Sequence, residues 1–347
     1  MSLAPKSRLC IAALLVPLAL VGCGSGGGGA STDGSGALTI YSGRDQEYVG
    51  PLIDRFKKQH PEIDVKVRYG SSSELAATIR EEGDRSPADL FFSQDAGALG
   101  ALQQSSLLGK LPASILDRVE SKYRSAAGDW VGITGRVRVL GYDSRAVKPD
   151  QLPKSVFDLT KPEWKGKVGW APTNASFQSF VTAMRLEKGD AATLDWLEAM
   201  KSNDTQPYEK NSQIRDAVAN GEIKVGLINH YYILEGIKEG EAKGDDYPVK
   251  IHFFPGGDVG SLVNVAGVGI LRSASNQKAA RLFTEYALSE KGQQYFVEET
   301  GEYPLVKGVD PDPSLPALAD IQSPNVDLAD LSDLEGTLAL MRKAGVL

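Results

Sequence analysis

The chain has 347 residues, 41% of them hydrophobic and 24% charged, with a formal net charge of −7. That composition excludes wholesale disorder, and the length is about that of two ordinary domains. The acidic balance excludes nucleic acid, or an anionic membrane surface, as the main partner.

The first segment is an export signal. Lys6 and Arg8 precede an apolar run from Leu9 to Val21, too short to span a bilayer well. The run closes on Leu20, Val21, Gly22 and Cys23, and this tetrapeptide resembles the lipobox of bacterial lipoproteins. Residues 1–22 are then a signal peptide and Cys23 the lipidated residue; the alternative is plain secretion with cleavage at a small residue. The other cysteine, Cys10, lies within the signal, so neither a disulfide nor a thiolate metal site is expected. Residues 23–37 are rich in glycine and serine but lack the flanking strand and helix of a nucleotide-binding glycine motif, and read as a flexible tether.

From Leu38 strands and helices alternate. LTIYS (38–42) reads as a strand, and Glu47 to Gln59 as a helix with Tyr48, Leu52, Ile53 and Phe56 at helical spacing. IDVKVRY is the next strand, SELAATIREEG a helix closed by Gly83, and ADLFFS an apolar strand. This βαβαβ order predicts a mostly parallel sheet with helices on both faces. VGITGRVRVLGYD contains one long extended run, KVGWAP a strand, and helices are expected over about 176–188 and 191–201. The strand IKVGLIN runs into the tyrosine pair Tyr231 and Tyr232, and SLVNVAGVGIL reads as a buried strand crossing back. The expected fold class is α/β: two lobes joined by extended hinge strands with a ligand cleft between, as in solute-binding proteins. Residues 38–136 with about 262–312 form the first lobe, and 137–261 with about 313–347 the second. Periodicity alone equally fits one large α/β enzyme; the lipoprotein start favours the binding protein. The acidic stretch from Asp327 to Glu335 reads as a solvated helix face.

Ligands of open α/β sheets bind beyond the C-terminal strand ends. That rule selects Asp45 in YSGRDQE, Gln94 and Asp95 in FFSQDAG, Asn174 and Ser176 in APTNASFQSF, Asn211 and Ser212 in YEKNSQIRDAV, and INHYY. Asn174 and Asn211 each open a helix, where free N–H groups suit an anion, or simply an N-cap. A phenol ionises near pH 10, so at neutral pH it needs a strong cation in place of its proton. Two adjacent phenolates point to ferric iron, whereas the bland reading makes Tyr231 and Tyr232 packing residues with solvated hydroxyls. Arg136 and Arg138 face one side of their strand, either beside the anion or in solvent.

Taken together, LTIYSGRDQE, GSSSELAATIREEGDRSPADLFFSQDAG, GRVRVLGYDSR, PTNASF, YEKNS, NGEIKVGLINHYY, LVNVAGVGIL and GEYPL resemble, in order and spacing, the bacterial periplasmic ferric-iron-binding proteins, or bacterial transferrins. The resemblance implies a type II periplasmic-binding-protein fold. It makes Tyr231 and Tyr232 iron ligands, and places carbonate or phosphate on Asn174, Ala175, Ser176, Asn211 and Asn229. Where the best-known members carry a histidine and a glutamate ligand, this chain has Asp45 and Gln94. Asp45 is a hard carboxylate suited to ferric iron or to solvent; Gln94 suits the anion or a water. Tyr142 is a further candidate ligand, Arg136 a candidate neutraliser of the anion, and His230 is expected behind the site or facing solvent. No catalytic set is expected. The implied protein is a monomer that captures Fe(III) with a synergistic anion and delivers it to an ABC importer permease, touching the membrane only through its lipid anchor. Alternatives are a protein of the same fold for an oxyanion, polyamine or iron chelate, and a secreted metal-dependent hydrolase using Asp45 and His230.

Overall fold

A computed structural model describes residues 34–240 and 246–347; the signal segment, Cys23 and most of the tether lie outside the described residues. The chain runs β1 (Gly36–Ser42), α1 (Gln46–Gln59), β2 (Ile63–Tyr69), α2 (Ser72–Glu82), β3 (Leu90–Ser93), α3 (Ala96–Gln104) and a single turn, α4 (Ala113–Leu116). Next come β4 (Trp130–Asp143), β5 (Val168–Trp170), α5 (Ala175–Ser202), β6 (Gln206–Pro207), α6 (Asn211–Ala219), β7 (Val225–Asn229), α7 (Tyr231–Glu239) and β8 (Val249–His252). It closes with β9 (Val263–Ile270), α8 (Gln277–Ala287), α9 (Glu290–Tyr295), β10 (Tyr303–Pro304) and α10 (Leu334–Lys343).

The elements expected from periodicity are present, with small shifts at their ends. β1 begins at Gly36, two residues inside the expected tether. The two helices expected around 176–201 form one helical run broken at Gly189, whose φ of 83° is the left-handed region that glycine tolerates. The Asp327–Glu335 stretch divides. Its acidic side chains are exposed, but Leu328–Ser332 is a 3-10 turn that buries Leu328 and Leu331, and the helix starts only at Leu334.

Sheet order is β2-β1-β3-β9-β4-β7-β5-β6, with β8 and β10 also on β4. β1 pairs in parallel with β2 and β3, and β5 with β6 and β7, as short βα connections require. The crossing strands are antiparallel. β4 is buried at every position and changes partner along its length: Trp130–Val137 pairs with β9, whereas Arg138–Tyr142 pairs with β7. One strand thus carries Arg136 in one neighbourhood and Arg138 in another. The segments that follow β1, β3, β5, β6 and β7 hold the strand-end residues singled out from sequence. A close approach fixes two of them: a Cβ on Gly43 would lie 2.0 Å from Ser72 Oγ, the hydroxyl that accepts the Gln94 N–H at 2.9 Å. No helix among the described residues is long and apolar enough to cross a membrane.

Candidate metal and anion site

Tyr231 and Tyr232 open a helix rather than end a strand: β7 stops at Asn229, and α7 starts at Tyr231 with only His230 between. His230 makes so short a connection possible. It is fully buried, its N–H donates to the Val137 carbonyl, its Nδ1 accepts the Val137 N–H at 3.2 Å, and its Nε2 donates to the Gly301 carbonyl at 3.0 Å. Burial pulls its pKa down to about 4, so the ring is neutral with both nitrogens committed to backbone. Of the two positions expected for His230, behind the site or facing solvent, burial rules out the second, and the ring has no free nitrogen for a hydrolytic role.

The two phenol rings lie 4.3 Å apart between centroids, both buried. The Tyr231 hydroxyl has no hydrogen-bond partner. Burial, then the neighbouring Tyr231, raises the Tyr232 phenol well above its ordinary range. Tyr48 from α1 packs edge-on against both rings, at 6.0 and 6.2 Å. The guanidinium carbons of Arg44 and Arg136 sit 5.7 and 5.5 Å from the Tyr231 ring centre, within the range where a cation is attracted to a π face.

Three guanidiniums are buried here; Arg44 and Arg136 share the buried carboxylate of Glu302, and buried Asp95, its pKa raised by burial, also feels the Arg136 charge. Glu302 accepts from Arg44 Nη2 at 2.7 Å and Thr300 Oγ1 at 3.1 Å through Oε2, and from Arg136 Nη2 at 2.5 Å and Thr134 Oγ1 at 3.2 Å through Oε1. Burial works against the Glu302 charge, but the two arginines outweigh it and hold its pKa below the usual carboxylate range. Sequence reasoning quoted Glu302 within GEYPL without giving it a role, because its partners are 166 and 258 residues away.

Arg138 has no carboxylate. Its Nη2 donates to the Leu227 carbonyl at 2.6 Å, its Nη1 points at Ser176 Oγ and Asn211 Oδ1, both 3.4 Å away, and Phe177 and Phe180 flank it. Burial drags its pKa down to about 9; a guanidinium stays charged even so. Arg138 Nε, Asn211 Nδ2, and Nδ2 of Asn229, the β7 residue in register with Arg138, are all buried without a hydrogen-bond partner. Such groups are rare in folded proteins, and each costs about 1–3 kcal/mol of desolvation if nothing pairs with it. Unpaired donors around a guanidinium without a carboxylate partner are chemically suited to an anion.

The other candidates sit as follows. Asn174 is the N-cap of α5, its Oδ1 accepting from the Ser176 N–H at 3.0 Å and from Ser176 Oγ at 2.6 Å, with Ala175 buried at the first helical position. Asp45 is exposed at the start of α1, does not cap it, and its charge is among those raising Tyr232. Gln94 is buried after β3. Arg136 gives only Nη2 to Glu302, its Nε and Nη1 being buried without a hydrogen-bond partner, and Arg138 is the arginine without a carboxylate. Tyr142 lies four residues along β4 from Arg138, about 13 Å by strand rise, and lines an apolar groove with Ile233, Ile237 and Phe253. Among the described residues no group of three or more His, Cys, Asp or Glu is arranged to hold a metal ion. The two phenols, with the Asp45 charge acting on Tyr232, are oxygen donors of the kind that suits a hard cation.

The sequence model of the family described as bacterial extracellular solute-binding protein matches residues 85–332. This chain belongs to the bacterial extracellular solute-binding proteins. The Fe(3+)-binding periplasmic protein of Serratia marcescens is 36% identical to this solute-binding protein over 312 residues, 89% of this chain and 90% of that one. Iron-bound HitA from Pseudomonas aeruginosa superposes with a TM-score of 0.81 at 35% identity, covering 89% of this chain and 99% of that one. The Trichodesmium protein IdiA (FutA), in complex with iron and citrate, superposes with a TM-score of 0.74 at 29% identity and the same coverage. The motif-based resemblance to periplasmic ferric-iron-binding proteins, and the type II fold it implied, are borne out.

Proposed function

We propose that this solute-binding protein is an extracytoplasmic receptor, lipid-anchored through Cys23, that captures ferric iron through Tyr231 and Tyr232 together with a synergistic carbonate or phosphate, and delivers it to an ABC importer. The observation that carries the reading is the pairing of two buried phenols with unpaired donors around Arg138. Charge supports it. With burial favouring the neutral form of Asp95, three buried arginines against Glu302 leave two positive charges, which two phenolates offset; a trivalent ion then needs a divalent anion and one carboxylate, and the charge of Asp45 acts on Tyr232. The positive end of α7 favours ionised phenols at its first turn. Arg138, Ser176, Asn211 and Asn229 hold the anion in this reading, with Asn174 and Ala175 shaping the start of α5. The lobes divide where β4 exchanges β9 for β7, so that β4 and β9 are the hinge strands and closure excludes water. The relatives' names support iron as cargo and a periplasmic location. The citrate beside iron in the Trichodesmium protein favours one second reading, an iron–carboxylate chelate in which citrate replaces the small anion on Arg138.

Iron titrations of Tyr231→Phe and Tyr232→Phe test the assignment. Each single variant is expected to lose at least a hundredfold in ferric affinity, and the double variant to lose the tyrosinate charge-transfer colour altogether while remaining folded. Retained colour in the double variant overturns it.

A further inference from the structure

We propose that Tyr48 is a positioning residue, a latch through which α1 holds α7 and its tyrosine pair closed over bound iron; the inference rests on the ferric reading above. Tyr48 lies in the first turn of α1, its N–H donating to the Asp45 carbonyl, and it is buried. Its ring meets Tyr231 and Tyr232 edge-on, and Arg44 stacks on it at 5.2 Å. Beyond the ring, its hydroxyl donates to Glu235 Oε1 at 2.7 Å. Glu235 is one helical turn below the pair, and its other oxygen accepts from Arg215 Nη1 of α6 at 2.9 Å. On the far side the Tyr48 carbonyl accepts from the Tyr295 hydroxyl at 2.7 Å.

One side chain therefore touches three residues of α7 while its backbone is fixed to α9. The hydroxyl is spent on a carboxylate that is itself held by a guanidinium, so it is not a spare metal ligand. Tyr48 and Glu235 also line a surface hollow of about 300 Å³ with Glu47, Glu239 and Tyr295. The bond thus sits where the buried pair meets the outside, the place that has to part before a chelator reaches the metal. In the two-lobe reading Tyr48 belongs to the first lobe and Glu235 to the second. Opening the cleft breaks this charge-assisted bond, and closing it restores the bond.

The test uses the full chain loaded with ferric iron and carbonate, mixed with excess EDTA, and follows the decay of the charge-transfer band. Tyr48→Phe is expected to keep the band and the stoichiometry but to release iron about tenfold faster, in line with the loss of one hydrogen bond to a charged group. Glu235→Ala is expected to match it, and Glu235→Gln, which keeps an acceptor, to fall near the wild type. An unchanged rate in both Tyr48→Phe and Glu235→Ala overturns the latch, as does a lost or shifted band in Tyr48→Phe, which would put its oxygen on the iron. If the wild type itself takes up no iron, it is the ferric reading that fails.

Discussion

Glu302 shows how a single residue organises the neighbourhood. Its carboxylate is fully buried, saturated by four donors, and shared by Arg44 and Arg136. Removing it leaves two guanidiniums buried without a counter-charge, and breaking a buried pair in this way costs about 3–5 kcal/mol. Glu302→Ala is expected to destabilise the metal-free protein by about that amount in urea unfolding, and a loss below about 1 kcal/mol, the usual worth of a surface pair, would contradict the assignment. The tyrosine pair was legible in the sequence because adjacent phenols at the end of an apolar run are chemically odd. Glu302 and Arg44 were not, since a buried ion cluster assembled from the turn after β1, from β4 and from the approach to β10 leaves no local pattern. Arg138 was half legible: strand alternation placed it beside Arg136, but only the packing separates the arginine that has a carboxylate from the one that does not.

At the scale of elements, the strand-to-helix junction at His230 matters most. Periodicity read IKVGLIN as a strand, and it is one; what it missed is that YYILEGIKE is a helix, because the apolar run continues without a break through the change of period. His230 fixes that junction by bonding β4 on one side and the loop at Gly301 on the other. Its pKa is pulled from 6.5 to about 4 by burial. The sign follows: unfolded chains take up a proton on this ring below about pH 6.5 whereas the folded ring resists until about pH 4, so its stabilising contribution is present at neutral pH and lost as pH falls. Between pH 7 and pH 5 the metal-free protein is expected to lose about 2 kcal/mol through this one group. Urea midpoints measured at both pH values for the wild type and His230→Gln check it; the variant's midpoint should move less, and equal movement would remove His230 as the cause.

On the scale of the whole molecule, a lone pair of phenols is no receptor. In the proposed function it becomes one through convergence: β7 and α7 bring the tyrosines, the start of α1 brings Asp45, β4 brings two arginines to different partners, and the starts of α5 and α6 bring Ser176 and Asn211. The alternation of strands and helices made the layered fold legible from sequence, and the rule that ligands sit beyond strand ends made most of the convergent loops legible too. Contacts such as Tyr48 to Glu235 were not legible, because they join residues with no shared element and no motif. The central claim is that iron and anion are held together by the tyrosines and the Arg138 pocket. It is tested most directly by titrating the metal-free protein with ferric iron while recording the visible spectrum, with and without carbonate or phosphate. A red-orange tyrosinate band is expected that saturates at one iron per chain and develops fully only when the anion is present. A protein that stays colourless with iron bound, or whose band is indifferent to the anion, would contradict it.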